Sequence, residues 1–317
     1  MKGTALVSGV AGFLGSHLAE RLLGEGYRVI GIDNFVTGRR ENLRTLQRSP
    51  AFTLLRGDLA RPLALPRANA IFHLACPASP PQYLRIPIAT LEVNAFGTAQ
   101  LLAHAKKCGA RMLLTSTSEV YGDPEVHPQP ETYWGHVNPN GIRSCYDEGK
   151  RFAEALAMAW HREREVSVRI ARIFNTYGPR MAPDDGRVVS NFLVAGWKGE
   201  PLRVQGTGKQ TRSFCYVHDM VEGLVRLFHA EEVDGPVNLG NPDTELTILE
   251  LANQVRKLTG ERSEIVFDTR GEDDPERRRP DISKAKKLLG WSPATPFPKG
   301  LALTADYFRE LVEARSA

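Results

Sequence analysis

Short apolar runs alternate with amphipathic stretches through the first half of the chain. Each run is apolar on both alternating faces, which is typical of strands in a parallel sheet that helices cover on both sides. The runs fall at 4–10, 27–33, 52–58, 70–75, 111–117 and 166–174, and helical periodicity fills 88–108 and 145–163. This order predicts an α/β fold built on a doubly wound parallel sheet.

The pattern changes after about residue 175. Pro, Gly and Arg become frequent over 178–212, and a dense charged stretch, GEDDPERRRPD, fills 271–281. Helical periodicity returns at 188–198, 218–231 and 246–259. We expect this half of the chain to form a smaller C-terminal lobe beside the sheet.

The balance of charge argues against nucleic acid and membrane surfaces as partners. The 317 residues include 41 Lys and Arg and 37 Asp and Glu, a net charge of +4 that is too small to favour either by bulk attraction. No apolar run reaches the roughly 18 residues that a membrane-spanning helix needs. The four cysteines are scattered and form no C-x-x-C pair, which favours the reducing cytoplasm over a disulfide framework or a bound metal.

Three glycines separate the first predicted strand from the first predicted helix. The sequence SGVAGFLGSHLAERLL places Gly9, Gly12 and Gly15 at a G-x-x-G-x-x-G spacing. Small residues let the backbone turn tightly and approach a pyrophosphate, which then lies at the helix N-terminus. Glycine spacing alone also occurs in turns that bind nothing, but here a strand precedes it and a helix follows it. We therefore predict a Rossmann-type dinucleotide site.

An acidic residue ends the second predicted strand, at the spacing expected for a ribose ligand. The carboxylate of Asp33 can accept hydrogen bonds from a free 2′-hydroxyl and would repel a 2′-phosphate, which favours NAD over NADP. Arg39 and Arg40 lie close by in sequence and weaken that preference. Asp58 follows the third strand, where it could face the adenine or cap a helix.

A tyrosine and a lysine lie four residues apart in SCYDEGKRFAEALAMAWHRE, the start of a predicted helix. Ser144 suits the N-cap position, and Asp147 and Glu148 suit the first turn. Tyr146 and Lys150 share a helix face, and an ammonium beside a phenol lowers its pKa from the usual value of about 10. Such a pair can take a proton from a substrate hydroxyl while hydride leaves to NAD. Because Y-x-x-x-K alone is a frequent chance match, the prediction also depends on the preceding dinucleotide pattern.

With these motifs in place, the chain resembles the extended short-chain dehydrogenases/reductases that act on nucleotide sugars. The resemblance runs from about residue 3 to 297, and the combination of PASPP, STSEVYGDP and CYDEGKR is most similar to the UDP-glucuronate decarboxylases. It implies an NAD-binding Rossmann domain at 1–174, to which 213–242 returns, and a smaller nucleotide-sugar-binding lobe at 175–212 and 243–317. The cofactor contacts that it implies are Gly9, Gly12, Phe13, Leu14, Gly15, Asp33, Asn34, Phe35, Thr37, Gly38, Asp58, Leu59, Leu74, Ala75, Tyr146 and Lys150.

The reaction that the resemblance implies converts UDP-glucuronate to UDP-xylose and CO2, with NAD regenerated. Tyr146 would deprotonate the sugar C4 hydroxyl as hydride passes to NAD, and Thr117 would hydrogen-bond the same oxygen. The resulting ketone is β to the C6 carboxylate, so CO2 leaves readily as electrons flow into an enolate. Glu119, within TSTSEVYG at the end of a predicted strand, would serve C5, where a proton must then be added.

A UDP group needs cations and amide groups, which the Gly-rich second lobe offers. For Arg277 and Arg279, which flank Arg278, we expect solvated ion pairs with neighbouring acids rather than substrate contacts. The substrate contacts that the resemblance implies are Tyr83, Arg85, Glu119, Asn175, Arg187, Asn191, Arg212 and Arg278.

One position departs from the family pattern. Family members often have lysine where this chain has Glu92, within TLEVNAFGT. A carboxylate inside the sugar site could repel glucuronate and alter substrate choice, whereas a carboxylate outside the site would have no such effect.

Three other functions are open at this stage. A UDP-sugar 4-epimerase of the same fold needs no carboxylate near C5 and usually has a small residue at the position of Glu119. A nucleotide-sugar 4,6-dehydratase pairs Asp with Glu, whereas Ser118 precedes Glu119 here. A protein that senses NAD without turnover could lack the tyrosine or the lysine, and both are present. Family analogy also predicts a homodimer that pairs helices near 88–107 and 146–163.

Overall fold

The chain folds around one seven-stranded sheet. A computed structural model describes residues 2–316; Met1 and Ala317, the outer ends of the two predicted domains, lie outside the described residues. The strands are β1 (Gly3–Ser8), β2 (Tyr27–Asp33), β3 (Phe52–Arg56), β4 (Ala70–His73), β5 (Arg111–Thr117), β6 (Val168–Ile173), β7 (Thr176–Tyr177), β8 (Leu202–Gln205), β9 (Thr211–Ser213), β10 (Cys215–Tyr216), β11 (Pro236–Leu239), β12 (Glu245–Thr247), β13 (Ile265–Asp268) and β14 (Arg277–Arg278).

Helices connect most of these strands. Among the described residues, none of the helices is both long and apolar enough to cross a membrane. The α-helices are α1 (Phe13–Gly24), α2 (Pro80–Arg85), α3 (Pro87–Glu92), α4 (Thr98–Cys108), α5 (Ser144–Arg164), α6 (Val188–Lys198), α7 (Val217–His229), α8 (Ile248–Leu258), α9 (Ser283–Leu289) and α10 (Phe297–Ser316).

The large sheet has the order β11-β6-β5-β4-β1-β2-β3, and every neighbouring pair is parallel. The strand order reverses between β1 and β4, and ligands of doubly wound sheets bind beyond the carboxyl ends of the strands at such a point. The predicted fold class is therefore confirmed. Strand β1 ends at Ser8, earlier than predicted, because Gly9 turns the chain with a φ of +69°.

Two layers of helices bury the sheet. Val7 and Phe72 pack into the core beneath α1 and α7, while their neighbours Leu6 and Ile71 pack into the core beneath α4 and α5. All four side chains are fully buried. Burial of one side chain of this size stabilises a fold by about 1.5–3 kcal/mol, so these alternating runs provide much of the energy that fixes the sheet.

Smaller sheets and three helices form a second layer near the carboxyl ends of the large sheet. Strand β8 pairs with β13, and β9 pairs with both β12 and β14. Helix α6 packs against α8 and α10. Strand β11, which lies within 213–242, pairs with β6 at the edge of the large sheet. The division of the chain into two domains stays a prediction.

The continuous helix predicted over 88–108 is interrupted. The structure has α3, then a π-helical segment at Val93–Gly97, then α4. Within this segment the buried Asn94 donates its side-chain amide to the Thr90 carbonyl (2.9 Å) and to Cys76 Sγ (3.2 Å). The apolar spacing is similar on both sides of the interruption, which is why periodicity alone predicts one helix.

Candidate active site

A cavity of about 550 Å³ lies beyond the carboxyl ends of the large sheet, a volume within the range of small-molecule sites. Its wall combines the glycine turn after β1, the end of β5, the start of α5 and parts of the second layer. Lining residues from these four regions include Gly12, Thr117, Tyr146, Asn191 and Arg212. The cavity therefore brings together most of the residues that the sequence motifs single out.

The glycine turn forms a cradle that fits a pyrophosphate. Helix α1 begins directly after Gly12, and no side chain in the described part of the chain caps its N-terminus. A Cβ at Gly15 would overlap the carbonyl oxygen of Gly9, so the helix can approach the turn this closely only with glycine there. The free N–H groups and the positive end of the helix dipole both favour an anion at this point.

Asp33 lies at the end of β2, beside the cradle. Its carboxylate accepts hydrogen bonds from the backbone N–H groups of Ala11 and Phe35, each at 2.8 Å. Burial raises the pKa of this carboxyl, and the two N–H groups oppose that rise. Each oxygen keeps a second lone pair, so the arrangement fits the predicted contact with a ribose hydroxyl. Asp58 instead accepts from Ala60 N at 2.9 Å, in a turn rather than at a helix N-cap.

Gly15→Ala is expected to weaken NAD binding by about ten-fold, equivalent to about 1.4 kcal/mol, because the added methyl displaces the cradle. Gly24→Ala is the matched control, since it adds the same methyl to the same helix where a Cβ meets nothing within 4 Å. Isothermal titration calorimetry with NAD measures the Kd of each variant. Equal affinities in the two variants would show that the cradle does not bind the cofactor.

The Tyr–Lys pair lies on α5 as predicted, but the helix starts differently. Ser144 is the first helical residue, and Arg143 occupies the N-cap position without a side-chain cap, so the predicted N-cap at Ser144 is wrong. The Arg143 backbone is already helical in conformation, with φ of −86° and ψ of −10°. The Arg143 side chain therefore does not cap α5 and donates to Glu119 instead.

Tyr146 is buried, and the Lys150 Nζ lies 5.9 Å from its ring centroid. The ammonium donates to the Thr115 carbonyl at 2.9 Å, which fixes its position at the end of β5. Burial raises the pKa of Tyr146 well above its usual value and Cys76 adds to the rise, whereas a hydrogen bond with Thr117 lowers it. The expected lowering of this pKa by Lys150 stays a prediction.

Glu119 lies at the centre of an arginine cluster. Its N–H donates to Thr117 Oγ1 at 3.2 Å, and its carboxylate accepts from Arg143 Nη2 at 2.7 Å and from Arg278 Nη1. Burial alone would raise the pKa of Glu119, but Arg278, Arg143 and Arg212 outweigh it and lower the pKa to about 2. The carboxylate is therefore ionised throughout the physiological range, which suits an electrostatic role better than proton donation.

Arg278 is almost fully buried and also donates to the Gly122 carbonyl at 2.8 Å. It stands behind Glu119 and is not among the residues that line the cavity. Arg277 is exposed, and Arg279 lies 3.7 Å from Glu245 rather than pairing with the acids of 272–274. The three consecutive arginines thus have three different environments, which the sequence alone does not distinguish.

The predicted UDP-binding residues of the second lobe meet in the cavity. Asn175, Arg187, Asn191 and Arg212 all line it. The Asn175 side-chain oxygen is buried without a hydrogen-bond partner among residues 2–316, so it retains an acceptor for a ligand. Arg187 pairs with Asp185, and Arg212 pairs with Asp274 at 2.9 Å.

Arg85 and Glu92 lie away from the cavity wall, and so do seven of the predicted cofactor contacts: Asp33, Asn34, Phe35, Gly38, Asp58, Leu59 and Ala75. Arg85 is exposed and donates to Gln82 Oε1 at 2.9 Å, so the structure does not bring it to the site. Glu92 pairs with Arg61, with 3.2 Å between Oε2 and Nη2, and also lies outside the lining. Its carboxylate is therefore not placed to repel an acidic sugar. Tyr83, by contrast, lines the cavity and stacks on Tyr146 with ring centroids 4.9 Å apart.

Two lining residues were missed by the sequence motifs. Arg143 and Asp274 lie 3.5 Å apart at their charged atoms, although they are 131 positions apart in the chain. An arginine directly before the Tyr–Lys helix is a usable signal for the first. Nothing in the local sequence distinguishes Asp274 from its acidic neighbours.

Comparisons with known proteins agree with this geometry. The family model described as GDP-mannose 4,6 dehydratase matches residues 6–304. UDP-glucuronic acid decarboxylase 4 of Arabidopsis thaliana is 56% identical over 307 residues, which are 97% of this chain and 69% of the relative. UDP-glucuronic acid decarboxylase 1 of Xenopus tropicalis is 53% identical over 308 residues, with 97% and 72% coverage. The structure of a UDP-glucuronic acid 4-epimerase from Bacillus cereus, in complex with UDP-glucuronic acid and NAD, superposes with a TM-score of 0.87 at 27% identity, covering 97% of this chain and 99% of the other.

The doubly wound sheet, the glycine cradle and the Tyr–Lys pair define the class, that of the extended short-chain dehydrogenases/reductases. Within that class, the chain belongs to the UDP-glucuronic acid decarboxylase family. Both steps confirm the resemblance drawn from the motifs.

Proposed function

We propose that this protein converts UDP-glucuronate to UDP-xylose and CO2, using NAD that returns to its oxidised form in each turnover. The observation that carries the proposal is 53–56% identity to UDP-glucuronic acid decarboxylases across nearly the whole chain. The solved 4-epimerase shares the fold at 27% identity, about half that level. The decarboxylase is therefore the better supported of the two functions.

The residues of the cavity and of the neighbouring end of β2 match the groups of NAD in their chemistry. The cradle at Gly9, Gly12 and Gly15 suits the pyrophosphate, and the Asp33 carboxylate suits the adenosine ribose without a 2′-phosphate. When bound, NAD would supply the acceptor and later the donor of a hydride at C4 of the sugar.

Tyr146 is the proposed base for the C4 hydroxyl. Its support is the hydrogen bond with Thr117 and the Lys150 ammonium, whose position the Thr115 carbonyl fixes. Burial raises the pKa of Tyr146, and nearby positive charge favours its phenolate form. Lys150 supplies such a charge, and Thr117 can hold the sugar oxygen between the two hydroxyl groups.

Glu119 and its arginines are the proposed electrostatic element for the steps at C5 and C6. Oxidation at C4 makes the substrate a β-keto acid, whose C5–C6 bond breaks as the electrons move onto the ketone oxygen. Glu119 is ionised and anchors two guanidinium groups, so we assign it to positioning these cations rather than to donating a proton. The Ser118-Glu119 pair, in place of Asp-Glu, does not support a dehydratase.

The diphosphate and the nucleoside of the substrate are assigned to the second lobe. Arg187, Asn191 and Arg212 supply cationic and amide donors along one side of the cavity, and Asn175 supplies an unpaired acceptor. This is the donor set that a nucleoside diphosphate requires. Glu92, held by Arg61 outside the cavity, gives no reason to expect a neutral sugar instead.

Product analysis tests the proposal directly. Purified protein incubated with UDP-glucuronate and NAD should give equal amounts of UDP-xylose and CO2, with no net accumulation of NADH. Mass spectrometry of the nucleotide pool identifies the products. Formation of UDP-galacturonate without CO2 would instead show a 4-epimerase.

We further propose a homodimer and a reducing, cytoplasmic location. Ile88, Phe96 and Phe152 are large apolar side chains that are at least half exposed on α3, the π-helical segment and α5. A second copy that covers this face would bury them, as for helices paired across a subunit interface. Light scattering after size-exclusion chromatography would measure the mass of the oligomer.

The four cysteines, all unbridged, suit a reducing compartment.

A further inference from the structure

Arg143 has binding capacity that the protein does not use. Its residue is only 8% exposed, yet it lines the cavity three positions before Tyr146. Its Nε atom is buried and has no hydrogen-bond partner among the described residues. A buried N–H of a charged group is costly to leave unpaired, so such an atom beside a cavity indicates a ligand.

The guanidinium has more donors than its protein partners occupy. Arginine carries five N–H groups in a planar fork. Within the described chain, Nη2 donates to Glu119 at 2.7 Å and Nη1 reaches Asp274 only at 3.5 Å, the long limit of a hydrogen bond. Three donors, including Nε–H, are left for a planar group with two oxygens. A carboxylate matches this geometry.

The charge of the cluster points to the same kind of ligand. The ion-paired side chains comprise the cations Arg143, Arg212, Arg270 and Arg278 and the anions Glu119, Asp274 and Glu276, so four positive charges face three negative ones. An excess of one positive charge in a largely buried cluster is unfavourable unless an anion neutralises it.

The nearest additional carboxyl does not remove that excess. Burial and the charge of Glu119 raise the pKa of Asp147 to about 8, which favours its neutral form. Its Oδ1 atom also lacks a partner among residues 2–316. The cluster therefore keeps its positive charge at neutral pH, and one further carboxylate would balance it.

Arg143 also lies close to the reacting end of the cavity. Its guanidinium acts electrostatically on Tyr83, whose ring stacks on Tyr146 at 4.9 Å with the planes 3° apart. Arg143 also donates to the carboxylate of Glu119, and the backbone N–H of Glu119 donates to Thr117 Oγ1. A sugar whose C4 hydroxyl meets Tyr146 and Thr117 would hold its C6 group within the neighbourhood of this cluster.

We propose that Arg143 binds the C6 carboxylate of the substrate and thereby selects an acidic sugar. This inference rests on the proposed decarboxylase function. In the reaction, the C5–C6 bond breaks, CO2 leaves, and the electron pair becomes an enolate whose oxygen is the former C4 ketone. The negative charge of the substrate stays beside the cluster in both states, so the same excess of positive charge stabilises the bound carboxylate and then the enolate.

Binding measurements separate this role from a structural one. The full chain carrying Tyr146→Phe, which is expected to prevent turnover, is saturated with NAD and titrated calorimetrically with UDP-glucuronate, UDP-glucose and UDP, both alone and combined with Arg143→Gln or Arg143→Lys. We expect Arg143→Gln to weaken UDP-glucuronate binding by about 10- to 100-fold while UDP-glucose and UDP change by less than about three-fold. Arg143→Lys should restore part of the affinity, because it keeps the charge but not the fork. The matched control is Arg164→Gln, a charge removed from the exposed end of the same helix.

Two results would overturn the inference. One is unchanged affinity for UDP-glucuronate in Arg143→Gln; the other is an equal loss for all three ligands, which would mean that Arg143 only maintains the fold of the site. If Arg143→Gln does not fold, as judged by its thermal transition, Arg143→Lys decides, since a selective loss for the acidic sugar is still expected. Failure of the wild type to release CO2 would contradict the proposed function alone, because the preference for the acidic sugar is measured without turnover.

Discussion

Tyr146→Phe is expected to lower kcat for UDP-xylose formation by about 100- to 10,000-fold, the range for loss of a positioned acid–base group. The substitution removes one oxygen and leaves the ring, which stacks on Tyr83 at 4.9 Å and is already buried. The fold and the ligand cavity should therefore persist. Calorimetry should give Kd values for NAD and UDP within about three-fold of wild type, equivalent to less than 1 kcal/mol.

Tyr27→Phe is the matched control for that experiment. Tyr27 is also a largely buried tyrosine, but it lies at the amino end of β2, whereas the cavity lies beyond the carboxyl ends of the strands. Its kcat should match that of wild type. Full activity in Tyr146→Phe would remove this residue from the mechanism, and a parallel loss of NAD binding would assign it to the cofactor site instead.

Glu119→Ala is expected to lower kcat by about 100-fold while UDP affinity changes by less than about three-fold. Among residues 2–316, the substitution leaves the buried guanidinium of Arg278 with only the Gly122 carbonyl as a partner, and it removes the 2.7 Å bond that holds Arg143. Breaking a buried ion pair by removing one partner typically lowers the free energy of unfolding by about 3–5 kcal/mol. Chemical denaturation and steady-state kinetics measure the two effects separately.

The pH dependence of that stability loss has a definite sign. The arginines lower the pKa of Glu119 to about 2 in the folded protein, below its usual value of 4.5. A lowered pKa stabilises the fold fully above the unfolded value and loses that contribution as pH falls towards the folded value. The difference in unfolding free energy between wild type and Glu119→Ala should therefore narrow from pH 4.5 towards pH 2.

Glu92→Ala is the control for the removal of a carboxylate. Glu92 forms a partly exposed pair with Arg61 outside the cavity, and such pairs contribute little, about 0–1 kcal/mol. Its kinetics should match those of wild type. Unchanged kinetics in Glu119→Ala would show that Glu119 is structural, and a large loss in Glu92→Ala would reopen the question of substrate choice.

The parts of this fold that depend on short-range pattern were predictable. Short apolar runs with both faces buried are typical of central parallel strands, and the runs at 27–33 and 111–117 match β2 and β5 residue for residue. The glycine cradle and the Tyr–Lys spacing are likewise local, since each lies within one turn and one helix. Their positions around a common cavity follow from the parallel order of the strands, whose carboxyl ends share one edge.

The parts that depend on long-range contact were not predictable. The cluster around Glu119 joins residues near 119, 143, 212, 274 and 278, and no local pattern tells Arg278 from its neighbours Arg277 and Arg279. The sequence also does not show whether Glu92 faces the cavity. Glu92 ends α3 directly before the π-helical segment, which changes the residues that share a helix face. The raised pKa of Tyr146 depends on burial by other elements, which no local spacing predicts.

The central claim is that hydride leaves C4 and returns to it while solvent supplies a single hydrogen at C5. The most direct test is turnover of UDP-glucuronate in D2O with catalytic NAD, followed by proton NMR and mass spectrometry of the product. We predict UDP-xylose that carries one deuterium at C5 and none at C4, with one CO2 released per molecule. Deuterium at C4, or UDP-galacturonate formed without CO2, would contradict the account.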